Sequence, residues 1–353
     1  MLFIPVLTAC SVIGSGLSAR VPVRSGISQS SFAYKYYRSS NEFRNEFKDK
    51  MGDAYEIMRD YIDDDRTIPI PGILETYVKK NSKYRVQFNY VPQGLCRAGQ
   101  YFLVTAYDGN KENNSVVYVI DKDRNKVVST LTLPNRYHAG GITFDGERIW
   151  LTGDTSDKYE GKPFVQYIEY PVFEEMILKP LHKVSRDEIS DRVYIKNKPS
   201  FLEYSNGMLW VGTYVASRNT ERGYINGYPI RNDNGKVKLD LMLYRVINGI
   251  DSSAQGAAIF GNYLYVSSSY MGWLSRANTS FVTMYDIGEV VRDKTQINVS
   301  GKEFRRIEVP KMNEEITVDQ GILYINFESA YDGWPAPVIR TDRIMAVKRN
   351  LWR

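Results

Sequence analysis

AQGAAIFGNYLYV, residues 254–266, contains the pattern that decides the fold. A small polar opening leads into a short strand, a tight turn, and a second strand rich in aromatic and aliphatic residues. The pattern recurs in four other places: PQGLCRAGQYFLV (92–104), AGGITFDGERIWL (139–151), PSFLEYSNGMLWV (199–211) and NEEITVDQGILYI (313–325). Successive copies lie 47 to 60 residues apart, so the chain consists largely of five similar units.

Further strands complete these units. In the first unit, SVVYVID (115–121) and KVVSTLTL (126–133) supply a third and a fourth strand. Four short strands in every repeat of this length predict an all-β fold, a five-bladed β-propeller with antiparallel blades. RIMAVKR (343–349) is a third strand for the last unit. We expect YRVQFNY (84–90) to be its fourth strand, because closing the ring removes two open sheet edges.

The propeller is expected to span residues 83–353, after a helical lead-in at 26–82. An apolar helix face is indicated by spacings of three and four residues, and its members are Phe43, Phe47, Met51, Ala54, Met58 and Ile62. Ser39 and Glu42 form a capping-box pattern at the start of this helix. Residues 1–25 are apolar and small, which is typical of an export signal.

The leader permits two kinds of processing. The string Leu7-Thr8-Ala9-Cys10 resembles a bacterial lipobox, which would make Cys10 a lipid-bearing first residue. Ordinary cleavage after the triplet Leu17-Ser18-Ala19 is the alternative. We therefore expect an exported protein, either secreted or anchored to the membrane by lipid alone.

The composition excludes several classes of function. The 46 basic and 41 acidic residues are mixed along the chain, without the clustered Lys and Arg that nucleic-acid binding requires. Only two cysteines and two histidines occur, which argues against a zinc site and a disulfide framework. No cofactor is expected. Calcium, which binds oxygen ligands, stays possible, although no DxDxDG-type loop is present.

Two sets of residues should meet on one face of the propeller, at the mouth of its central channel. One set is at the openings of the repeats: Gln93, His138 with Gly140, Lys198 with Ser200, Ser253 with Gln255, and Glu314 with Glu315. The other set is on the loops after the second strands: Tyr107, Asp108, Tyr214, Arg218, Tyr270, Trp273, Arg276, Tyr331, Trp334 and Arg340. The tryptophans belong to a repeated YxGW motif at 270–273 and 331–334.

Fixed polar groups rimmed by Trp, Tyr and Arg suit the recognition of a small polar ligand, a glycan or a peptide. Polar residues at blade openings can equally bond neighbouring strand ends and channel water, so both interpretations stay open for Gln93 and Gln255. His182 lies in an outer segment and is expected to be structural.

Catalytic patterns are sparse. The chain contains no GxSxG nucleophile elbow and no glycine-rich phosphate loop after a strand. A glycosidase needs two carboxylates across the sugar, and five-bladed propeller glycosidases place three acidic residues on separate blades. Here the aligned openings carry acids in one blade only, at Glu314 and Glu315. Glu314 would be the acid–base group if the protein were an enzyme.

One family resemblance concerns the openings QGL (93–95), GGI (140–142) and EEI (314–316), together with FLEYSNGMLWV (201–211). These strings resemble the blade pattern of plant-type glutaminyl cyclases. The resemblance implies a five-bladed propeller with a channel ring of Gln, Glu, Asn, Trp and Lys. Gln93 matches the family's first-blade glutamine, whereas Gly140 replaces its second-blade glutamate. We expect a ligand-binding propeller rather than an enzyme; a cyclase-like acyltransferase or glycan-acting hydrolase is the alternative.

Overall fold

The computed structural model describes residues 29–153, 161–216, 222–269, 280–288, 295–334 and 339–353. Its strands form five blades arranged in a ring, which confirms the predicted five-bladed β-propeller. The innermost strand of each blade contacts the innermost strand of the next, and the fifth contacts the first. No helix in the described ranges is long and apolar enough to cross a membrane.

The lead-in contains a helix, α1 (Ser40–Met58), followed by three strands, β1 (Ile68–Pro69), β2 (Thr76–Lys80) and β3 (Lys83–Gln87). Ser39 caps α1 by accepting from the Glu42 amide at 3.1 Å. Its apolar face buries Phe43, Phe47, Ala54 and Met58 in a core cluster that also contains residues of blades 1, 4 and 5, as the spacing predicts. At Met51 the backbone leaves helical geometry, so α1 is kinked there.

The first two blades follow in chain order. Blade 1 consists of β4 (Tyr90–Ala98), β5 (Tyr101–Asp108), β6 (Val116–Asp121) and β7 (Lys126–Thr132). Blade 2 begins with β8 (Ile142–Phe144), β9 (Arg148–Thr152) and β10 (Phe164–Glu169). A short helix, α2 (Tyr170–Met176), then leads to β11 (Leu181–Lys183), which joins the outer edge of blade 1 in parallel. β12 (Val193–Tyr194) completes blade 2.

Blade 3 consists of β13 (Phe201–Ser205), β14 (Met208–Thr213), β15 (Gly223–Asp233) and β17 (Arg245–Ile250), with β16 (Lys236–Leu239) as a side hairpin. Blade 4 has β18 (Ala254–Phe260), β19 (Tyr263–Ser269), β20 (Ser280–Asp286) and β22 (Glu303–Val309). β21 (Gln296–Asn298) returns to blade 3 in parallel. Blade 5 has β23 (Asn313–Asp319), β24 (Ile322–Phe327) and β25 (Arg343–Lys348). The middle strands β6 and β24 are buried throughout, since both faces of a blade pack on neighbours.

The ring closes differently from the prediction. The fourth strand of blade 5 is β1, which pairs with β25 through Ile68 opposite Ile344 and Pro69 opposite Arg343. The assignment of residues 84–90 to this position is therefore wrong. Residues 83–87 instead form an exposed hairpin with β2, across a turn in which Asn81 and Ser82 have positive φ. This pairing with the adjacent β2 satisfies the backbone hydrogen bonds of residues 83–87 without the predicted pairing to β25.

Candidate functional site

A single carboxylate joins the inner strands of three blades. Glu315 is fully buried at the opening of β23, in blade 5. Its Oε2 accepts the backbone N–H of Leu95 at 2.9 Å and of Ile142 at 3.0 Å. Its Oε1 accepts the N–H of Leu202 at 2.9 Å. Burial raises the pKa of this carboxyl well above its usual range, and the three N–H groups partly oppose that rise.

Close backbone approach explains the glycines at the other openings. A Cβ on Gly141 would lie 2.6 Å from the Leu202 backbone nitrogen. A Cβ on Gly256 would lie 2.5 Å from the Cα of Glu315. Any larger side chain would therefore push the inner strands apart. The glycines in GGI (140–142) and in QGA (255–257) are therefore required by the packing of the channel.

A pair of carboxyls lies at the channel mouth. Glu314, next to Glu315 in the chain, is hydrogen-bonded to Glu328, which follows β24 on the loop between the second and third strands of blade 5. The Gln255 amide donates to Glu314 Oε1 at 3.0 Å, and the Gln93 amide donates to Glu328 Oε2 at 3.2 Å. Within the described ranges no Lys or Arg forms a salt bridge with either carboxyl. We call Glu314 and Glu328 the carboxyl pair.

The carboxyl pair shares a proton. Burial, followed by the charges of Glu328 and Glu315, raises the pKa of Glu314 well above its usual range. Burial also raises the pKa of Glu328, to about 7, although the hydrogen bonds with Gln93 and Glu314 and the nearby indole N–H of Trp334 oppose the rise. Two adjacent carboxyls in a site of low polarity cannot both ionise readily, so one proton stays on the pair at neutral pH. The pair can therefore hold or release a proton near neutral pH.

Aromatic side chains surround the carboxyl pair. Tyr107 is half-buried; burial and the nearby charges of Glu328 and Glu314 raise the pKa of its hydroxyl. Its ring lies 4.5 Å from that of His138, centroid to centroid. Tyr331 and Trp334 meet edge to face at 6.0 Å. The buried indole nitrogen of Trp334 completes no hydrogen bond of ordinary geometry with a described residue, although its N–H lowers the pKa of Glu328.

The structure thus brings seven of the expected residues together: Gln93, Tyr107, His138, Gln255, Glu314, Tyr331 and Trp334. Two others have structural positions. Glu315 is occupied by backbone N–H groups, so its expected contact with a ligand is replaced by a bracing role. Arg340 lies behind the Tyr331 loop and donates to the carbonyls of Tyr331 and Trp334 at 2.9 and 3.2 Å. Its cationic group is engaged in holding that loop.

The remaining expected residues lie elsewhere. Lys198 is exposed just before β13, and no contact places it on the carboxyl pair. His182, which was expected to be structural, bonds Glu188 at 2.9 Å on the outer edge of blade 1. Several residues lie outside the described ranges: Cys10, Arg218, Tyr270, Trp273 and Arg276. Among the described residues no group of three or more His, Cys, Asp and Glu side chains is arranged to hold a metal ion.

Glu328 is the site residue that the sequence interpretation missed. It stands in the same loop as Tyr331 and Trp334, directly after the buried strand β24. A charged residue at the end of an apolar strand, on a loop already assigned to the mouth, was a usable signal. The repeat alignment did not reveal it, because that alignment compared only the openings of the first strands.

Comparisons with known proteins yield fold-level likeness only. No protein-family model matches the sequence, and no curated protein matches it. Among solved structures, a Myxococcus xanthus glutaminyl cyclase aligns with a TM-score of 0.42 and 12% identity, over 73% of this chain and 90% of that one. Kuenenia stuttgartiensis hydrazine synthase aligns at 0.35 and 13%, over 66% and 55%. The computationally designed Ika8 protein aligns at 0.29 and 8%, over 68% and 69%.

Proposed function

We propose that the channel mouth binds a small polar ligand that donates hydrogen bonds to the carboxyl pair. The observation that carries this proposal is the buried carboxyl pair, Glu314 and Glu328, which forms no salt bridge within the described ranges. Beside it, the Trp334 indole N–H has no hydrogen bond of ordinary geometry to a described residue. Buried ionisable and polar groups are costly unless partners satisfy them. A ligand with both donor and acceptor groups would satisfy both at once.

The surrounding side chains narrow the class of ligand. Glu328 accepts from an amine, a hydroxyl or an amide N–H, and Trp334 donates to a carbonyl or hydroxyl oxygen. The rings of Tyr107, Tyr331 and Trp334 offer apolar faces for stacking. Sugars and short peptides present this combination of groups. A glycan or peptide ligand is therefore the occupant that the mouth suits best.

The leader at residues 1–25 supports the further proposal that the protein acts outside the cytoplasm. Its apolar run and the lipobox-like string ending at Cys10 are typical of exported bacterial proteins. A lipid on Cys10 or cleavage after Ala19 would give different mature amino termini. Mass spectrometry of protein isolated from its own cells distinguishes these, and an intact Met1 contradicts export.

Trp334→Ala should weaken ligand binding by at least about thirtyfold, since loss of an aromatic anchor costs on the order of 2 kcal/mol. The measurement is retention on a glycan and peptide array, followed by calorimetry with the best ligand. Glu328→Gln should also weaken binding, because it replaces one of the two acceptor oxygens with an NH2 group, which cannot accept a hydrogen bond from the ligand, and removes the negative charge.

The matched control is Phe304→Ala, which removes an exposed aromatic ring from β22, at the outer edge of blade 4. It should bind as the unmodified protein does. Equal binding by the Trp334→Ala protein, with unchanged folding, would contradict a ligand site at the mouth. Retention lost equally in the Phe304→Ala protein would do so as well.

The carboxyl pair favours one second candidate, acid–base catalysis of acyl transfer. A pair that shares one proton near neutral pH can accept a proton from an attacking amine and return it to a leaving group. Glu314 and Glu328 would be the catalytic residues. The Gln93 and Gln255 amides would position them. Cyclisation of an amino-terminal glutamine, with release of ammonia, is a reaction of this type.

This candidate predicts that the protein turns over peptides with an amino-terminal glutamine. The release of ammonia measures the rate. The rate should rise as the pH rises through about 7, since Glu328 loses its proton there and can then accept one from the attacking amine, while the proton that stays on the pair serves the leaving group. Glu328→Gln should remove that limb of the pH profile. Peptides that bind but return unchanged, at every pH tested, leave binding as the function.

A further inference from the structure

A second pocket lies beside the mouth, between the β5–β6 loop of blade 1 and the loop that leads from β7 to β8. Its volume is about 170 Å³. The lining residues are Tyr107, Asp108, Lys111, Asn113, Ser115, Arg136, Tyr137 and His138. Apart from Tyr107, Asp108 and His138, none of these was assigned a role from the sequence. We call this space the blade 1–2 pocket.

The blade 1–2 pocket has a positive lining. Lys111 and Arg136 are both exposed, and neither forms an ion pair with a described residue. The one acid, Asp108, is buried, and its carboxylate is already committed. It accepts the backbone N–H groups of Asn110 and Asn113 at 3.1 and 2.8 Å. Two cationic groups therefore face the pocket without a compensating acid.

The walls of the blade 1–2 pocket are held in place by backbone hydrogen bonds. The Ser115 N–H donates to the Asn135 carbonyl at 3.1 Å, and the Leu133 N–H donates to the Ser115 carbonyl at 2.8 Å. The Ser115 hydroxyl donates to the Tyr137 carbonyl. These bonds tie the two loops together at Asn135 and Tyr137, on either side of Arg136. Ligand binding would thus require little rearrangement of the backbone.

Tyr107 connects the pocket to the mouth. Its ring packs on His138, which lines the blade 1–2 pocket. The charges of Glu328 and Glu314 help to raise the pKa of its hydroxyl, which places it close to the carboxyl pair as well. The mouth carries negative charge and the pocket carries positive charge. A ligand that spans Tyr107 would meet an acidic site at one end and a basic site at the other.

We propose that the blade 1–2 pocket binds an oxyanion, a carboxylate or a phosphate, carried by the ligand whose donor groups lie on the carboxyl pair. The inference deepens the proposed function and rests on it for the identity of the whole ligand. Arg136 supplies a planar fork that matches the oxygens of either anion, and Lys111 supplies a point charge. Asp108 is a positioning residue, because it organises the loop that carries Lys111.

Titration with inorganic phosphate and with acetate, each followed by calorimetry and at constant ionic strength, tests the pocket directly. At least one anion should bind saturably, and the two arms show whether phosphate or carboxylate is preferred. Lys111→Gln with Arg136→Gln should weaken that binding by about tenfold or more, since both charge-assisted hydrogen bonds are lost. The matched control, Arg231→Gln with Lys236→Gln, removes two charges from the β15–β16 hairpin of blade 3 and should leave anion binding unchanged.

Two results would overturn the inference: no saturable binding of either anion, or an equal loss in the control protein. The array provides the second readout. Its anionic members should bind more tightly than neutral ones, and the preference should vanish in the Lys111→Gln, Arg136→Gln protein. If the array yields no ligand while phosphate or acetate still binds, the proposed function fails and the anion site stands.

Discussion

Glu315→Ala is expected to lower the free energy of unfolding by more than about 4 kcal/mol. The substitution removes the acceptor of three buried N–H groups, on Leu95, Ile142 and Leu202. Each unsatisfied buried donor costs about 1–3 kcal/mol. The empty space at the channel centre adds to the loss. Because whole domains are stable by only about 5–15 kcal/mol, the protein should unfold at a much lower urea concentration.

Glu315→Gln separates the loss of acceptors from the loss of volume. A glutamine fills the same space, but its NH2 group would face a backbone N–H that the carboxyl accepts in the unmodified protein. The stability of this variant should therefore lie between those of the alanine variant and the unmodified protein. This variant remains informative if the alanine variant does not fold. Glu174→Ala, at an exposed position of α2, is the control and should change stability by less than about 0.5 kcal/mol. Equal urea midpoints for Glu315→Ala and Glu174→Ala would contradict the bracing role.

Arg343→Met should lower the free energy of unfolding by about 3–5 kcal/mol, the usual cost of removing one partner of a buried ion pair. Arg343 and Asp342 are buried, with Arg343 Nη2 at 3.0 Å from Asp342 Oδ1. The guanidinium also lies 4.2 Å from the ring centre of Tyr34 and 4.3 Å from that of Phe43. These contacts attach the lead-in to blade 5, beside the strand that closes the ring.

Limited proteolysis is the second measurement on Arg343→Met, and cleavage should rise first within the lead-in. The double substitution Asp342→Asn with Arg343→Met should recover part of the lost stability, since it removes the uncompensated charge. Asp342 also accepts the backbone N–H groups of Tyr36 and Tyr37 at 2.6 and 3.1 Å, which an asparagine can keep only through its carbonyl oxygen. Unchanged stability and proteolysis in the single variant would show that the pair does not hold the lead-in.

The five blades were predictable because their signal is local. Each repeat contains its own opening, turn and apolar second strand, so periodicity alone indicates the number of units. Ring closure was not predictable in this way. β1 is two residues long and contains a proline, which is too short for any periodic pattern. Residues 83–87 have a clear strand pattern, yet their partner is the adjacent β2 rather than the distant β25.

For the channel mouth, the sequence predicted only which residues lie on the same face of the propeller. Strand direction places the openings and the loops after second strands on the same side, which is why Gln93, Gln255, Glu314 and Trp334 were expected near one another. Glu328 lies across the β23–β24 hairpin from Glu314, since Asn313 is paired with Phe327. The hydrogen bonds from Gln255 and Gln93 required the folded ring, because these residues belong to other blades. The cations of the blade 1–2 pocket are likewise separated along the chain, at positions 111 and 136, and line one pocket only because the β5–β6 loop is bonded to the connection from β7 to β8.

Glu314 and Glu315 show which properties follow from the sequence and which depend on the tertiary structure. Their place at the opening of a fifth inner strand follows from the repeat itself, because spacing and apolar pattern are properties of the chain. Their separate roles depend on the assembled blades. Glu315 meets N–H groups from three other inner strands, while Glu314 meets Glu328 and Gln255. Neighbouring residues of one type therefore acquire different surroundings, since burial and hydrogen-bond partners come from segments that are distant in sequence.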